Sequence, residues 1–278
     1  MSDSAPVAVG GVGGSGTRVV AAVLKEAGLR IGDDLNHALD NCWFTLLFKH
    51  RDVLDASRER FAELVALFVA AMTGGQPPTP AQSTLIDELA GRDRLQHDSA
   101  WLQERAQSLR AALEGPARTG PWGWKEPNTH MVVDHLAQAI PELRYIHVVR
   151  NGLDMAYSSN QNQLQLWGPL ALGVEHANTP RNALKFWSWA HARILGIGAE
   201  LGPRFLLVRF EDLCAHPQDE VRHILSFVGA NLGDDAVQRA ARAVVRPESI
   251  GRRWKGSLAD FDAADVAFVH SVGFNTSA

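Results

Sequence analysis

The chain has 278 residues, a net charge of −4 and 46% hydrophobic residues, enough for one α/β domain with an embellishment spanning residues 1–278. Without a long basic run, that charge argues against nucleic acid as a partner, and no stretch of about 18 apolar residues is present to cross a membrane. Met1-Ser2-Asp3-Ser4 lacks the charged-then-apolar layout of a signal peptide, and Cys42 and Cys214 stand in no metal spacing, so a cytoplasmic protein with buried or half-buried thiols is expected.

The first element is an apolar run from Val7 that stops in a glycine-rich stretch, Gly10 to Gly16, and reopens into Val19, Val20, Val23 and Leu24. This reads as strand, tight loop and helix. With few side chains in the way, the backbone N–H groups of Gly13, Gly14, Ser15, Gly16 and Thr17 can point at one phosphate, aided by the positive end of the helix. Three ligands compete for the loop. Gly11 and Gly16 have Walker A spacing, but Thr17 and Arg18 stand where Lys and Ser/Thr are needed, so nucleotide hydrolysis loses two of its parts. Gly11, Gly13 and Gly16 satisfy G-x-G-x-x-G, yet Leu29 to Asp34 makes a poor second strand for NAD. The third candidate is a nucleotide phosphosulfate, which demands a second anion site further along.

The first helix is predicted over Thr17 to Ala27 with Gly28 as its left-handed stop. The stretch Ile31 to His50 then offers Asp33, Asp34, Asn36 and His37 as candidate acceptor contacts, with capping of the next helix as the plain alternative for the two aspartates. Apolar residues at 61, 64, 65, 68, 69 and 72 predict an amphipathic helix over Ser57 to Met72. After the break at 73–80, two more helices follow up to Leu113. The whole helical insertion, residues 35–116, has no catalytic spacing and is expected to wall an acceptor pocket or form a lid.

Trp122 to Pro127 reads as a short strand that delivers Lys125 and Glu126 to the crevice, with Asn128 capping a helix through Ala139. Leu143 to Val149 has the unbroken apolar character of a buried parallel strand and ends at Arg150, with Asp154 and Ser158 four and eight residues on. His147, inside that strand, reads as a core histidine. Helices are predicted over Arg181 to Leu201 and Pro217 to Val228. Trp43, Trp122, Trp124 and Trp167 could stack on a sugar face or line an apolar pocket.

Together these segments resemble the sulfotransferases that use 3′-phosphoadenosine 5′-phosphosulfate (PAPS). Gly14-Ser15-Gly16-Thr17-Arg18 is similar to the family's first motif, and Arg150, Asp154 and Ser158 match its R-x-x-x-D-x-x-x-S motif. Val208 to Leu213 resembles its late strand and Y-E-D-L turn, and Gly251-Arg252-Arg253-Trp254-Lys255 resembles the basic stretch that folds over the nucleotide.

The resemblance implies a three-layer αβα fold, P-loop NTPase-like, with a short, mostly parallel sheet. It implies sulfuryl transfer to an acceptor hydroxyl on a small molecule or carbohydrate, with 3′-phosphoadenosine 5′-phosphate (PAP) as product and no metal. Residues 13–18 would hold the 5′ end, and Arg150, Ser158 and the Arg252, Arg253, Trp254 and Lys255 segment the 3′-phosphate. Lys125 would steady the leaving oxygen. This chain has Gly14 where the family usually has Lys or Arg, and Pro127 where many relatives have a histidine base. The proton acceptor is therefore expected among Glu126, Asp33, Asp34 and His37. A metabolite kinase and a catalytically inactive nucleotide binder stay open beside this, as do the acceptor and the oligomeric state.

Overall fold

The computed structural model describes residues 5–173, 177–230, 232–251 and 257–275. Strand β1 (Val7–Gly11) is followed by helices α1 (Thr17–Glu26), α2 (Cys42–Phe48), α3 (Arg58–Thr73), α4 (Pro80–Ala90) and α5 (Ser99–Glu114). Then come β2 (Gly123–Lys125), α6 (Val133–Ala139), β3 (Arg144–Val149), α7 (Gly152–Ala156), α8 (Asn162–Leu172) and α9 (Pro180–Leu201). The chain ends in β4 (Phe205–Arg209), α10 (Phe210–Ala215), α11 (Pro217–Phe227), α12 (Asp234–Ala241) and α13 (Ala263–Ser271). No described helix is long and apolar enough to cross a membrane.

The four strands form one parallel sheet in the order β2-β1-β3-β4. Val9 of β1 faces Lys125 on one side and Ile146 on the other, and Ile146 in turn faces Leu206. Side chains alternate across a strand, so Val7 and Val9 join Val20, Val23 and Leu24 of α1, with Ile146, Val148, Val208, Val221 and Ile224 in the same core. Ala8, Trp124, Tyr145 and Val149 face the larger core under α2 to α5 and α8, α9 and α13. Helices on both faces explain why β1 and β3 read as unbroken apolar runs. The chain leaves β1 for β2 on one side and returns to β3 on the other. That reversal opens a crevice at the carboxyl ends of β1 and β3.

Local chemistry sets the helix boundaries. Ser57, Asp98 and Thr179 accept the exposed N–H groups that start α3, α5 and α9, and Thr79 with Gln82 forms a reciprocal capping box on α4. Two expectations are corrected here. Asn128 caps nothing: it sits in a 3-10 turn, Pro127–Met131, whose cap is the Glu126 carboxylate, and α6 begins only at Val133. Nor do the tryptophans form platforms. Trp43, Trp124 and Trp167 are buried, Trp43 bonding Ser108 Oγ and Trp124 stacking on Phe44, while Trp122 packs partly buried against Trp124. Both cysteines are free, Cys42 buried and Cys214 half-buried.

Candidate functional site

The loop after β1 folds around its serine. Ser15 N–H donates to Val12 O at 3.0 Å, and the Ser15 hydroxyl is buried with no hydrogen-bond partner. Only glycine fits at position 11, where a Cβ would stand 2.7 Å from Ser15 Oγ and 2.4 Å from Val148 O. At Gly16 the constraint is double: φ is +101°, and a Cβ would lie 2.2 Å from the Phe210 ring. Among the described residues, the amides of Gly13, Gly14, Gly16 and Thr17 donate to no other group. They stand at the positive end of α1, a ready seat for an anion. Gly16→Ala is expected to cost about 2–4 kcal/mol from backbone strain and overpacking. In a thermal melt this lowers Tm by several degrees; an unchanged Tm would contradict the fit.

Arg150 leaves the end of β3 and is 3% exposed. Its Nη1 donates to Gly14 O at 3.4 Å, its Nη2 donates to Ser249 Oγ at 3.0 Å, and its guanidinium lies 5.5 Å from the Phe210 ring centroid. The helix that follows has only five residues, capped by Asn151, so the chain turns back and Ser158 reaches the same loop. Ser158 Oγ is 3.9 Å from where a Gly14 Cβ would stand. Arginine and serine, eight residues apart, thus converge on Gly14. Buried Asp154 accepts from Gly251 N–H at 2.6 Å, fastening α7 to the segment that leads into residues 252–255. Arg252, Arg253, Trp254 and Lys255 lie outside the described residues. Arg18 is exposed on the first turn of α1.

The remaining candidates are distributed differently from expectation. Lys125 is buried rather than open to the crevice: its ammonium donates to Ala38 O at 3.0 Å and pairs with Asp40. A tight turn presents both acceptors. Asn36 Oδ1 accepts from the amides of Ala38 and Asp40, and Leu39 takes a left-handed φ of 64°. Glu126, just past β2, is buried as well, accepting from Asn128 N–H at 2.5 Å and from Asn128 Nδ2 at 2.9 Å. Asn128 Oδ1 in turn accepts from Trp167 Nε1 at 2.7 Å. Burial pushes the Glu126 carboxyl above the usual carboxylate range; the Lys49 ammonium opposes the rise most strongly, and Asp40 adds to it.

Arginines pair with both Asp33 and Asp34. Asp33 pairs with Arg118 at 2.8 Å and approaches Arg30. Arg118 lines a hollow with Pro6, Trp122 and Pro141, at the amino ends of the strands, away from the crevice. Asp34 is held by Arg105 at 2.6 Å. They cap no helix either, since Asn41 caps α2. His37 is exposed in the turn beside Lys125 and makes no side-chain hydrogen bond among the described residues.

A model of the sulfotransferase family matches residues 6–234. The chain belongs to the sulfotransferase family. No curated protein matches the sequence. Among solved structures, the sulfotransferase domain of the olefin synthase from Synechococcus PCC 7002 is similar at 17% identity and TM-score 0.52, covering 100% of this chain and 98% of that one. The sulfotransferase from Alicyclobacillus acidocaldarius aligns at 12% identity and TM-score 0.48, over 96% and 95% of the two chains. The first of these likenesses supports the fold.

Several residues around the crevice of this sulfotransferase carry no local sequence signal. Gln163 of α8 donates from Nε2 to Gly11 O at 3.3 Å and meets His130 Nε2 through Oε1 at 3.1 Å. Burial lowers the pKa of His130 to about 3, so the ring is neutral and its Nε2–H donates to Gln163. Ser249, Asp40 and Lys49 likewise matter only once the fold brings them in.

Proposed function

We propose that this protein transfers a sulfuryl group from PAPS to the hydroxyl of a small acceptor molecule. The observation that carries the reading is the convergence of Arg150 and Ser158 on Gly14, beside loop amides and a buried Ser15 hydroxyl that lack partners. Such a donor set fits two anionic groups joined by a nucleoside. The amides of Gly13 to Thr17, Ser15 Oγ and Arg18 would hold the 5′ end, and Arg150 and Ser158 the 3′-phosphate. By the family resemblance, residues 252–255, outside the described residues, would complete that second seat. A planar guanidinium suits a phosphate dianion, and oriented amides suit a leaving oxygen that gains charge. PAPS supplies an already activated sulfuryl group.

Lys125 keeps a cation at the carboxyl end of β2, its direction set by Asp40 and Ala38 O. Glu126 receives the acceptor's proton. Its raised pKa supports that role, because a carboxylate made more basic by burial is a better proton acceptor. Turnover is therefore expected to rise with pH through a midpoint above the usual carboxylate range, since the base works only when ionised. Glu126→Gln should lower kcat by about 100-fold or more and remove that limb. Above its folded-state pKa the ionised, buried Glu126 costs stability; Glu126→Gln removes that cost but gives up one of the two hydrogen bonds from Asn128, so Tm should change little. A pH–rate profile with melting curves checks both.

The nucleotide reading is tested by calorimetric titration with PAP in metal-free buffer, against ATP with magnesium and against NAD. Micromolar binding of PAP alone supports it. Preference for ATP with magnesium would replace it with a kinase.

A further inference from the structure

Beside the crevice, a cavity of about 240 Å³ opens between the end of α2, the connection from α4 to α5, and α8. Lys49, Arg51, Arg94, Gln96, His97 and Leu166 are part of its lining. Its charge is unbalanced. Four cations line it against Asp52 and exposed Asp93, and Arg92 is already neutralised by Asp52 and Glu88. Arg94 and Arg51 serve the backbone. Arg94 donates to Thr45 O and Leu46 O at the end of α2 and to Leu89 O of α4. Arg51 Nη2 bonds Gln165 O at 3.1 Å, the carbonyl that Pro169 leaves without a helical donor, and its Nε bonds Leu166 O at 2.7 Å. Neither arginine forms an ion pair with a carboxylate among the described residues, although Asp52 acts on Arg94 from a distance.

The Lys49 side chain makes no hydrogen bond and no ion pair among the described residues; only its backbone N–H is bonded, to Thr45 O. The two histidines of the cavity register the positive field. Burial, and then Arg94 and Arg92, lower the pKa of His50 to about 4; burial, and then Lys49 and Arg94, lower that of His97 to about 4. Both rings are neutral at pH 7. His50 Nδ1, Gln96 Oε1 and His97 Nε2 are buried without partners.

The cavity is wired to the transfer site. Lys49 is the strongest charge acting on Glu126. Leu166 on the cavity wall precedes Trp167, which bonds the Asn128 partner of Glu126, and Gln96 Nε2 donates to Asn162 O, next to Gln163.

We infer that this cavity seats an anionic group of the acceptor, a carboxylate or an ester of similar charge, on Lys49 with Arg51 behind it, while the acceptor's hydroxyl faces Glu126. The inference rests on the sulfuryl-transfer reading of the neighbouring site and names the acceptor class it takes: hydroxy acids, in preference to neutral or cationic alcohols. Asp52 and Asp93 at the rim would repel an anion from the wrong approach, leaving Lys49 as the first contact.

The test uses three probes with one ring and one hydroxyl: 4-hydroxyphenylacetate, its amide, and tyramine. The full-length protein is first saturated with PAP, which separates this inference from the nucleotide reading. Absence of PAP binding would condemn the latter. Each probe is then titrated calorimetrically into the PAP-loaded protein. Binding of the carboxylate at least 10-fold tighter than the amide, with the difference abolished in Lys49→Met and reduced by salt, is the expected result. Equal binding of carboxylate and amide, tighter binding of tyramine, an unaltered difference in Lys49→Met, or no carboxylate binding while PAP binds would overturn it. Binding is measured because Lys49→Met also removes a charge that acts on Glu126 and so changes rates for a separate reason.

Discussion

Arg150→Ala is expected to weaken PAP binding by about 100-fold or more, since a charged hydrogen bond contributes about 1.5–3 kcal/mol and the guanidinium can offer two to one phosphate. The substitution also removes the donor to Gly14 O and to Ser249 Oγ, so the loop after β1 loses a brace along with the ligand contact. Arg150→Lys separates these effects. A lysine keeps the charge but not the fork, so it should recover part of the affinity and little of the bracing. Calorimetry on the three proteins, with thermal melts alongside, reads both. An Arg150→Ala protein that binds PAP as tightly as the parent would remove the 3′-phosphate role from this residue.

The second large effect is expected at Lys125. Removing one partner of a fully buried ion pair costs about 3–5 kcal/mol, and the partial solvent access of Asp40 reduces this to about 2–3 kcal/mol. Lys125→Met should therefore lower both Tm and kcat. Stability and catalysis separate in the double variant Lys125→Met/Asp40→Asn, where no uncompensated carboxylate is left. If the lysine charge acts on the transferred group, Tm returns to near the parent value while kcat stays low. Recovery of kcat together with Tm would make Lys125 a strut for the 36–40 turn and nothing more.

The parts of the site that were legible in the sequence are those whose chemistry is local. A glycine-rich loop between a strand and a helix announces an anion seat, and an arginine at the end of an apolar strand with a serine eight residues on announces another. Strands β1 and β3 were legible because burial on both faces leaves unbroken apolar runs. What was not legible depends on partners far away in the chain. Asp33 and Asp34 look like acids offered to a crevice until Arg118 and Arg105 are brought to them. Lys125 looks like a solvated or substrate-facing lysine until Asp40, 85 residues earlier, closes on it. Trp124 and Trp167 look like platforms because sequence does not say which strand face or helix stripe is covered.

The loop after β1 is encoded within the first 16 residues, yet its supports arrive late. Arg150 bonds Gly14 across 136 residues, Phe210 closes on Gly16 from after the last strand, and Ser249 and Gly251 secure Arg150 and Asp154 later still. As the chain emerges from the ribosome, the oldest segment of the site therefore waits as a bare glycine turn until residue 251 has been made. Contacts at such separations carry loop-closure costs before they return any stability, which places assembly of the nucleotide seat among the last events of folding. Acquisition of nucleotide binding during synthesis or refolding would then be a clock for completion of the fold, not for formation of the loop.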